Sequence, residues 1–319
     1  MTGPTPLDTR TDAEALVQRM RANERAAIAR AATELERMSP AVPALIAAMR
    51  PYLGHAVIAG LTGPPGAGKS TLVNALISHV RSKGRTVGVI AVDPSSPISG
   101  GAILGDRVRM TAALDDDGVF VRSLAARGSL GGLSPAAVRI IDAMDAAGKD
   151  LILIETVGTG QSEIDIIDVT DVRILVTAPG LGDDIQAMKA GLLEVADILV
   201  VNKADRDDAD RTLHQLKSAL AMRAHGLSNV PVLKTVATTG DGVASLGDAI
   251  DACAASRLAE GADARRRRRA RYLIARAAAD LVAERIRRGA GAQLDLLADA
   301  VLEGRVLPVA AAQRLIDSR

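Results

Sequence analysis

The run Gly63-Pro64-Pro65-Gly66-Ala67-Gly68-Lys69-Ser70-Thr71 constrains this chain more than any other, because it sets the G-x-x-x-x-G-K-[ST] spacing directly after the apolar stretch Val57 to Leu61. Such a loop needs a strand before it and a helix behind it, so it dictates an α/β layer as well as a ligand. Gly66 and Gly68 let the backbone turn tightly and aim the amides from Gly66 to Ser70 at phosphate oxygens. Pro64 and Pro65 lack the N–H group and cannot join them. Lys69 is predicted to neutralise the β and γ phosphates of a nucleoside triphosphate, and Ser70 to offer its hydroxyl to Mg2+. Leu72, Val73, Leu76 and Ile77 recur at helical spacing, which predicts a helix whose N-terminal dipole faces the anion.

The base is addressed further along, where Ile198-Leu199-Val200-Val201 runs into Asn202-Lys203-Ala204-Asp205, an N-K-x-D pattern at a strand end. A carboxylate at Asp205 can accept from the two N–H donors on the N1 and N2 edge of guanine. Adenine offers an acceptor at N1 and leaves the pair mismatched, so the pattern predicts GTP over ATP. Val236-Ala237-Thr238 follows the strand-like run Val230 to Lys234 and is placed where such a site closes over the base.

Between these signatures stand three carboxylates. Asp93 ends the apolar run Val87 to Val92, and Asp106 closes the turn-rich stretch 94–105, which reads as a segment able to order over a γ phosphate. Glu155 ends Leu151 to Ile154, and Gly158 follows with an amide placed to meet the γ phosphate. Ser70, Asp93, Asp106 and Glu155 are expected to hold Mg2+ or its waters, and Lys69 with the three acids forms the expected catalytic set. Asp93 also fits a strand-end turn and Asp106 a helix N-cap, since Arg107-Val108-Arg109-Met110 follows it. Gln161 can be given a role only by position.

Taken together, GPPGAGKST at 63–71, VDPSSPISGGAILGDR at 92–107, ETVGTGQSE at 155–163, APGLGDDIQAMKAGLLE at 178–194 and NKAD at 202–205 resemble the methylmalonyl-CoA mutase-associated GTPases, the MeaB or ArgK type of the SIMIBI class. The resemblance extends over roughly residues 10–319, and Glu155, where most P-loop NTPases have an aspartate, together with the block from Ala178 to Glu194 narrows it to this branch. It implies a homodimeric GTPase that acts as chaperone for an adenosylcobalamin-dependent mutase, gating cofactor loading and protecting the enzyme. It further implies that Ala178 to Lys189 is a nucleotide-responsive switch touching the mutase, which makes Asp183, Gln186 and Lys189 candidate contacts. By the residues alone these three also fit an N-cap and two solvated helix positions.

Short apolar strands alternating with helical segments predict a mostly parallel sheet flanked by helices, with the phosphate site at the carboxyl ends of the strands. The expected strands are Val57 to Leu61, Val87 to Val92, Val119 to Arg122, Leu151 to Glu155, Ile174 to Ala178, Ile198 to Val201 and Val230 to Lys234. Three parts are expected: a helical extension over 1–54, the GTPase core over 55–257 and a helical arm over 258–319, which the resemblance makes a dimerisation arm. In the extension Leu16, Val17, Met20, Ala27, Ile28, Ala31, Leu35 and Met38 recur at steps of three and four until Pro40 and Pro43 interrupt. Residues 262–289 hold ten arginines against three acids, a local balance of +7. The run Arg265 to Arg269 reads as a solvated helix face, while Ile274, Ala278, Leu281, Val282 and Ile286 give the same segment an apolar stripe that needs a partner surface. Nucleic acid is not an expected partner, because Tyr52, Phe120 and Tyr272 are the chain's only aromatics and offer almost no stacking platform.

The lone Cys253 allows no internal disulfide and is read as a small core residue of a helix from Val243 to Arg257. The first residues lack a basic flank and an apolar core, and the apolar runs elsewhere are too short for a bilayer, so a cytoplasmic chain without a membrane partner is expected. A metallochaperone GTPase would need Cys or His ligands, and Cys253, His55, His79, His214 and His225 form no ligand spacing. A partitioning ATPase of the same class would have a lysine early in the loop, where this chain has Pro64 and Pro65, and a protein kinase would need an acceptor-base motif such as H-R-D. There is no D-x-H-x-x-G cobalamin signature either: Leu53, Ile77, Thr212 and Arg223 stand two residues before the histidines. The chain is therefore not expected to ligate cobalamin through such a motif. A guardian of a related acyl-CoA mutase fits the same residues.

Overall fold

The computed structural model describes residues 10–93, 116–125, 135–156, 166, 168–181, 192–221, 230–289 and 291–317. Among them seven parallel strands form one sheet: β1 (Val57–Thr62), β2 (Val87–Asp93), β3 (Val119–Ala125), β4 (Leu151–Glu155), β5 (Val172–Thr177), β6 (Ile198–Val201) and β7 (Val232–Lys234). Their order is β3-β2-β4-β1-β5-β6-β7. The chain thus crosses from β4 on one side of β1 to β5 on the other, which puts the topological switch point, the usual place for a ligand, at the carboxyl end of β1.

Every residue of β1 and β4 is buried, as parallel strands covered on both faces require. Alternate residues face opposite layers. On one face Ala59, Leu61, Val89, Leu153, Ile174 and Val200 pack with Leu72, Leu76 and Val80 of α4 (Lys69–Ser82) and with Leu246 and Ile250 of the later helix Val243–Ala259. On the other, Leu175, Leu199 and Val201 pack with Leu216 and Leu220 of the helix Ala209–Ala221. Cys253 is half-buried against the first of these layers, and burial raises its thiol pKa, which suits a packing residue better than a nucleophile.

The expected strands are all present, with shifted ends. β3 runs on to Ala125 because it pairs with β2 along its whole length, to Asp93. β5 begins at Val172, paired to Ala59, instead of Ile174, and stops at Thr177 instead of Ala178. β7 begins at Val232 instead of Val230, since Pro231 has no N–H to give a ladder. The helix expected from Val243 to Arg257 continues to Ala259.

At the N-terminus α1 (Arg10–Arg21) and α2 (Arg25–Arg37) are separated by Asn23, in the left-handed region at φ 62°. Met38, read as a member of the apolar stripe, is instead the exposed left-handed cap of α2 at φ 53°. α3 (Val42–Met49) then has Pro43 in its first turn, where the missing N–H costs nothing. α2 packs on α5 (Pro135–Ala146), covering the sheet face opposite α4.

The chain divides into two compact units, Met1–Arg269 and Ala270–Arg319. In the second, the helices Gly291–Leu302 and Pro308–Asp317 pack on each other, with Ala300, Ala311 and Leu315 buried and Leu296, Leu302, Leu307 and Val309 exposed.

The reading of Arg265 to Arg269 as a solvated face is overturned within the first unit. Arg265 and Arg269 are buried. Arg265 Nη1 donates to Asp171 Oδ2 at 2.9 Å and to the Ala56 carbonyl at 3.1 Å, and its Nη2 donates to the Gly54 carbonyl. Arg269 lies 3.7 Å from Asp142 of α5. Such burial is bearable because the charge of Arg265 is paired and both of its Nη groups donate, although its Nε finds no partner among the described residues. The pattern of five arginines could not reveal this, since the partners lie far away in sequence.

Candidate nucleotide site

β1 delivers the chain at Thr62 into a loop that turns back as α4 at Lys69. Two glycines allow the turn. Gly63 has φ 140° and a Cβ there would lie 1.9 Å from the Val176 carbonyl oxygen of β5; Gly68, the left-handed N-cap of α4 at φ 87°, would drive a Cβ to 2.5 Å from Asn202 Nδ2. Lys69 is buried, and its ammonium donates to the carbonyls of Gly63 at 2.8 Å and Pro64 at 3.0 Å. It therefore lies across the loop whose amides it is expected to assist.

The register of β4 on β1 sets Glu155 beside Leu61, at the mouth of the loop. There Ser70 Oγ donates to Glu155 Oε1 at 2.6 Å, with Glu155 itself buried. Thr156 continues the strand end, its N–H donating to the Leu61 carbonyl at 3.2 Å. Asp93 ends β2, the strand beside β4, so its backbone stands on the same edge. Its side chain lies outside the described residues, as do Asp106, Gly158, Gln161, Asp183, Gln186 and Lys189. Of the four expected metal ligands, the structure thus brings together Ser70 and Glu155.

The base side is organised by Asn202. Buried at the end of β6, its amide Nδ2 donates to the Ala67 carbonyl at 2.9 Å, while its Oδ1 accepts from Thr235 Oγ1 at 3.0 Å and from the Ala237 N–H at 3.2 Å. One side chain therefore ties the phosphate loop to the loop after β7. Lys203, in the left-handed region at φ 57°, donates from its ammonium to the Gly66 carbonyl at 2.7 Å. Beside these contacts opens a cavity of about 200 Å³, lined by Gly68, Thr71, Asn202, Lys203 and Asp205 on one side and by Val236, Ala237 and Thr238 on the other. Arg206 completes the lining. The loop 236–238 thus stands on the cavity.

Thr71, expected as the last residue of the phosphate loop, lines the cavity, whereas Thr235 and Arg206 were not among the expected site residues. Thr235 could have been found by asking what satisfies a buried asparagine after β6. Arg206 adjoins the Asn202-Lys203-Ala204-Asp205 motif in sequence but belongs to neither pattern.

The family model described as methylmalonyl-CoA mutase-associated GTPase MeaB matches residues 28–291. The chain belongs to that family. This MeaB-family GTPase is 50% identical over 239 residues to a putative GTPase of Pyrococcus horikoshii, covering 74% of this chain and 75% of that one. A putative GTPase of Caulobacter vibrioides is 38% identical over 321 residues, covering 96% and 97%. Among solved structures, one titled as a LAO/AO transport system kinase matches with a TM-score of 0.76 at 27% identity, over 98% of this chain and 99% of that one. The fold is that of a P-loop GTPase with helical segments at both ends.

Proposed function

We propose that this GTPase binds GTP through Asp205, hydrolyses it at the Lys69 loop and uses the cycle to serve as chaperone of an adenosylcobalamin-dependent methylmalonyl-CoA mutase. The observation that most supports the site assignment is the Asn202 tether, which joins the phosphate loop to the 236–238 loop and leaves Asp205 on the cavity between them. The mutase as client rests on the family.

In this reading Lys69 leaves the Gly63 and Pro64 carbonyls for the β and γ phosphates, and the amides from Gly66 to Ser70 receive the remaining oxygens. The Ser70 hydroxyl and the buried Glu155 carboxylate, 2.6 Å apart, form an all-oxygen donor pair of the kind Mg2+ prefers. The fit is good, and Ser70, Glu155, Asp93 and Asp106 would hold the ion or its waters. When bound, Mg2+ neutralises charge developing on the phosphate oxygens. Asp205 orients guanine by accepting from its N1 and N2 edge, Gly158 meets the γ phosphate, and Ala178 to Lys189 relays the nucleotide state to the mutase.

The chain acts as a homodimer through its last helices, a reading supported by the exposure of Leu296, Leu302, Leu307 and Val309 in that unit. Among the described residues no helix is long and apolar enough to cross a membrane, which accords with a cytoplasmic chaperone. Titration of a methylmalonyl-CoA mutase into the GDP form and into a form loaded with a non-hydrolysable GTP analogue tests the client. The mutase should bind the two with different affinity and raise GTP turnover, and Lys189→Ala should reduce that difference. Equal affinity without stimulation would remove the chaperone role and leave a GTPase with another client.

A further inference from the structure

We infer that Arg206 forms one wall of the base slot, its guanidinium plane lying on a face of the guanine ring. The inference rests on the assignment of the cavity at Asp205 as the base site. A purine has two flat apolar faces that must be covered if its edge is to be read at a cost in desolvation that binding can offset. Covers of this sort are commonly aromatic, and this chain has three aromatic residues in all. None of them lines the cavity. Tyr52 stands under Arg21, with the guanidinium carbon 4.0 Å from its ring centre, and Phe120 and Tyr272 are buried. The slot is therefore walled by other means.

Lys203 can supply one side through its aliphatic stem, because its ammonium is held at the Gly66 carbonyl. Gly68, Thr71, Val236, Ala237 and Thr238 are too short to span a purine face. Arg206 is the lining residue with an extended, planar, delocalised group, and guanidinium planes stack on aromatic rings. Its backbone is fixed for the purpose. The Arg206 N–H donates to the Lys203 carbonyl at 3.1 Å, and its own carbonyl accepts from Ala209 at 3.1 Å as the next helix begins. Its head is also uncommitted to a carboxylate: among the described residues none forms an ion pair with it, although Asp205, Asp207 and Asp208 flank it. A weakly hydrated cation held above a π face is what the geometry offers.

The test is calorimetric titration of GDP, GTP and ATP into the full chain with Mg2+, for the parent protein and for Arg206→Ala, Arg206→Tyr, Arg206→Lys and Asp205→Asn. Arg206→Ala should weaken GDP and GTP by about 3- to 10-fold, the scale of a partly desolvated cation–π contact. Arg206→Tyr, which restores a plane without the charge, should recover the affinity, and Arg206→Lys, which restores the charge without a plane, should not. Unchanged affinity in Arg206→Ala, or recovery by lysine and not by tyrosine, would overturn the stacking role. In either case a loss of the GTP preference in Asp205→Asn would keep the base site standing. If Asp205→Asn retained that preference, the base site itself would be misplaced and the inference would fall with it.

Discussion

Each end of the sheet has a buried lysine and a set of carboxylates, and the two ends use them differently. At the amino end Lys149, 2% exposed, donates to Asn23 Oδ1 at 2.8 Å, and four aspartates are spent on the chain itself. Asp145 accepts from the backbone N–H groups of Gly54, His55 and Ala56; Asp150 accepts from Thr86, Asp171 from Ile58 and Arg265, and Asp197 from Arg173. At the carboxyl end Lys69, 6% exposed, rests on two carbonyls of its own loop, and Glu155 meets the Ser70 hydroxyl. One end joins separate elements across long stretches of chain. The other also joins distant segments, Ser70 to Glu155 and Asn202 to Ala67, but gathers its charged groups at the mouth of the loop, where a phosphate and a metal would sit. A buried lysine and a buried carboxylate stand at both ends, so neither residue type nor burial alone marks a functional site.

The comparison predicts that the amino end governs stability and the carboxyl end governs turnover. The largest effect should come from Asp171→Ala, which strands Arg265 as a buried charge beside the Ile58 N–H. Removal of one partner of such a pair costs about 3–5 kcal/mol, read as a lowered denaturation midpoint in urea. The GTP over ATP preference of the folded fraction should stay as it is. A midpoint unchanged from the parent would mean that the arginine cluster is not a clasp.

Lys69→Ala should do the reverse. Loss of the one cation that the loop places on the β and γ phosphates should lower kcat by on the order of 10²–10³-fold, measured as phosphate release at saturating GTP. Turnover equal to the parent's would sink the assignment of the loop.

A smaller effect separates the lysines by pH. Burial first, and then the positive charge of Arg81, lowers the Lys149 pKa from its usual value to about 8. Between about pH 8 and the ordinary lysine value the unfolded chain binds more protons than the folded one, so this group makes folding more favourable as pH rises through that window. Below about pH 8 its full cost is present. Lys149→Met should flatten that part of the stability profile in urea melts taken at successive pH values, and a slope identical to the parent's would show that Lys149 is charged in the fold as freely as in solution.

Much of this architecture is legible in the chain because the relevant signals are local. Apolar runs such as Leu151 to Ile154 announce strands buried on both faces, and Lys69, Ser70, Asn202 and Asp205 follow fixed spacings that leave few alternatives. The amino-end network is not local. Asp171 and Arg265 are 94 residues apart, and a run of five arginines reads as solvated until the fold supplies its partner. One regularity was nonetheless present: Asp150, Asp171 and Asp197 each stand immediately before a strand, at β4, β5 and β6. Met38 failed for a different reason, since a side chain at helical spacing cannot show that its backbone has turned left-handed.

The central claim is that Asp205 makes the cavity beside the phosphate loop a guanine site. Calorimetric titration of GTP and ATP into the parent protein and into Asp205→Asn tests it most directly. The parent should bind GTP in clear preference to ATP, and the variant should lose about 1.5–3 kcal/mol of GTP affinity, the scale of hydrogen bonds to a charged group, with little change toward ATP. Equal binding of GTP and ATP by the parent, or an unaltered preference in the variant, would contradict it.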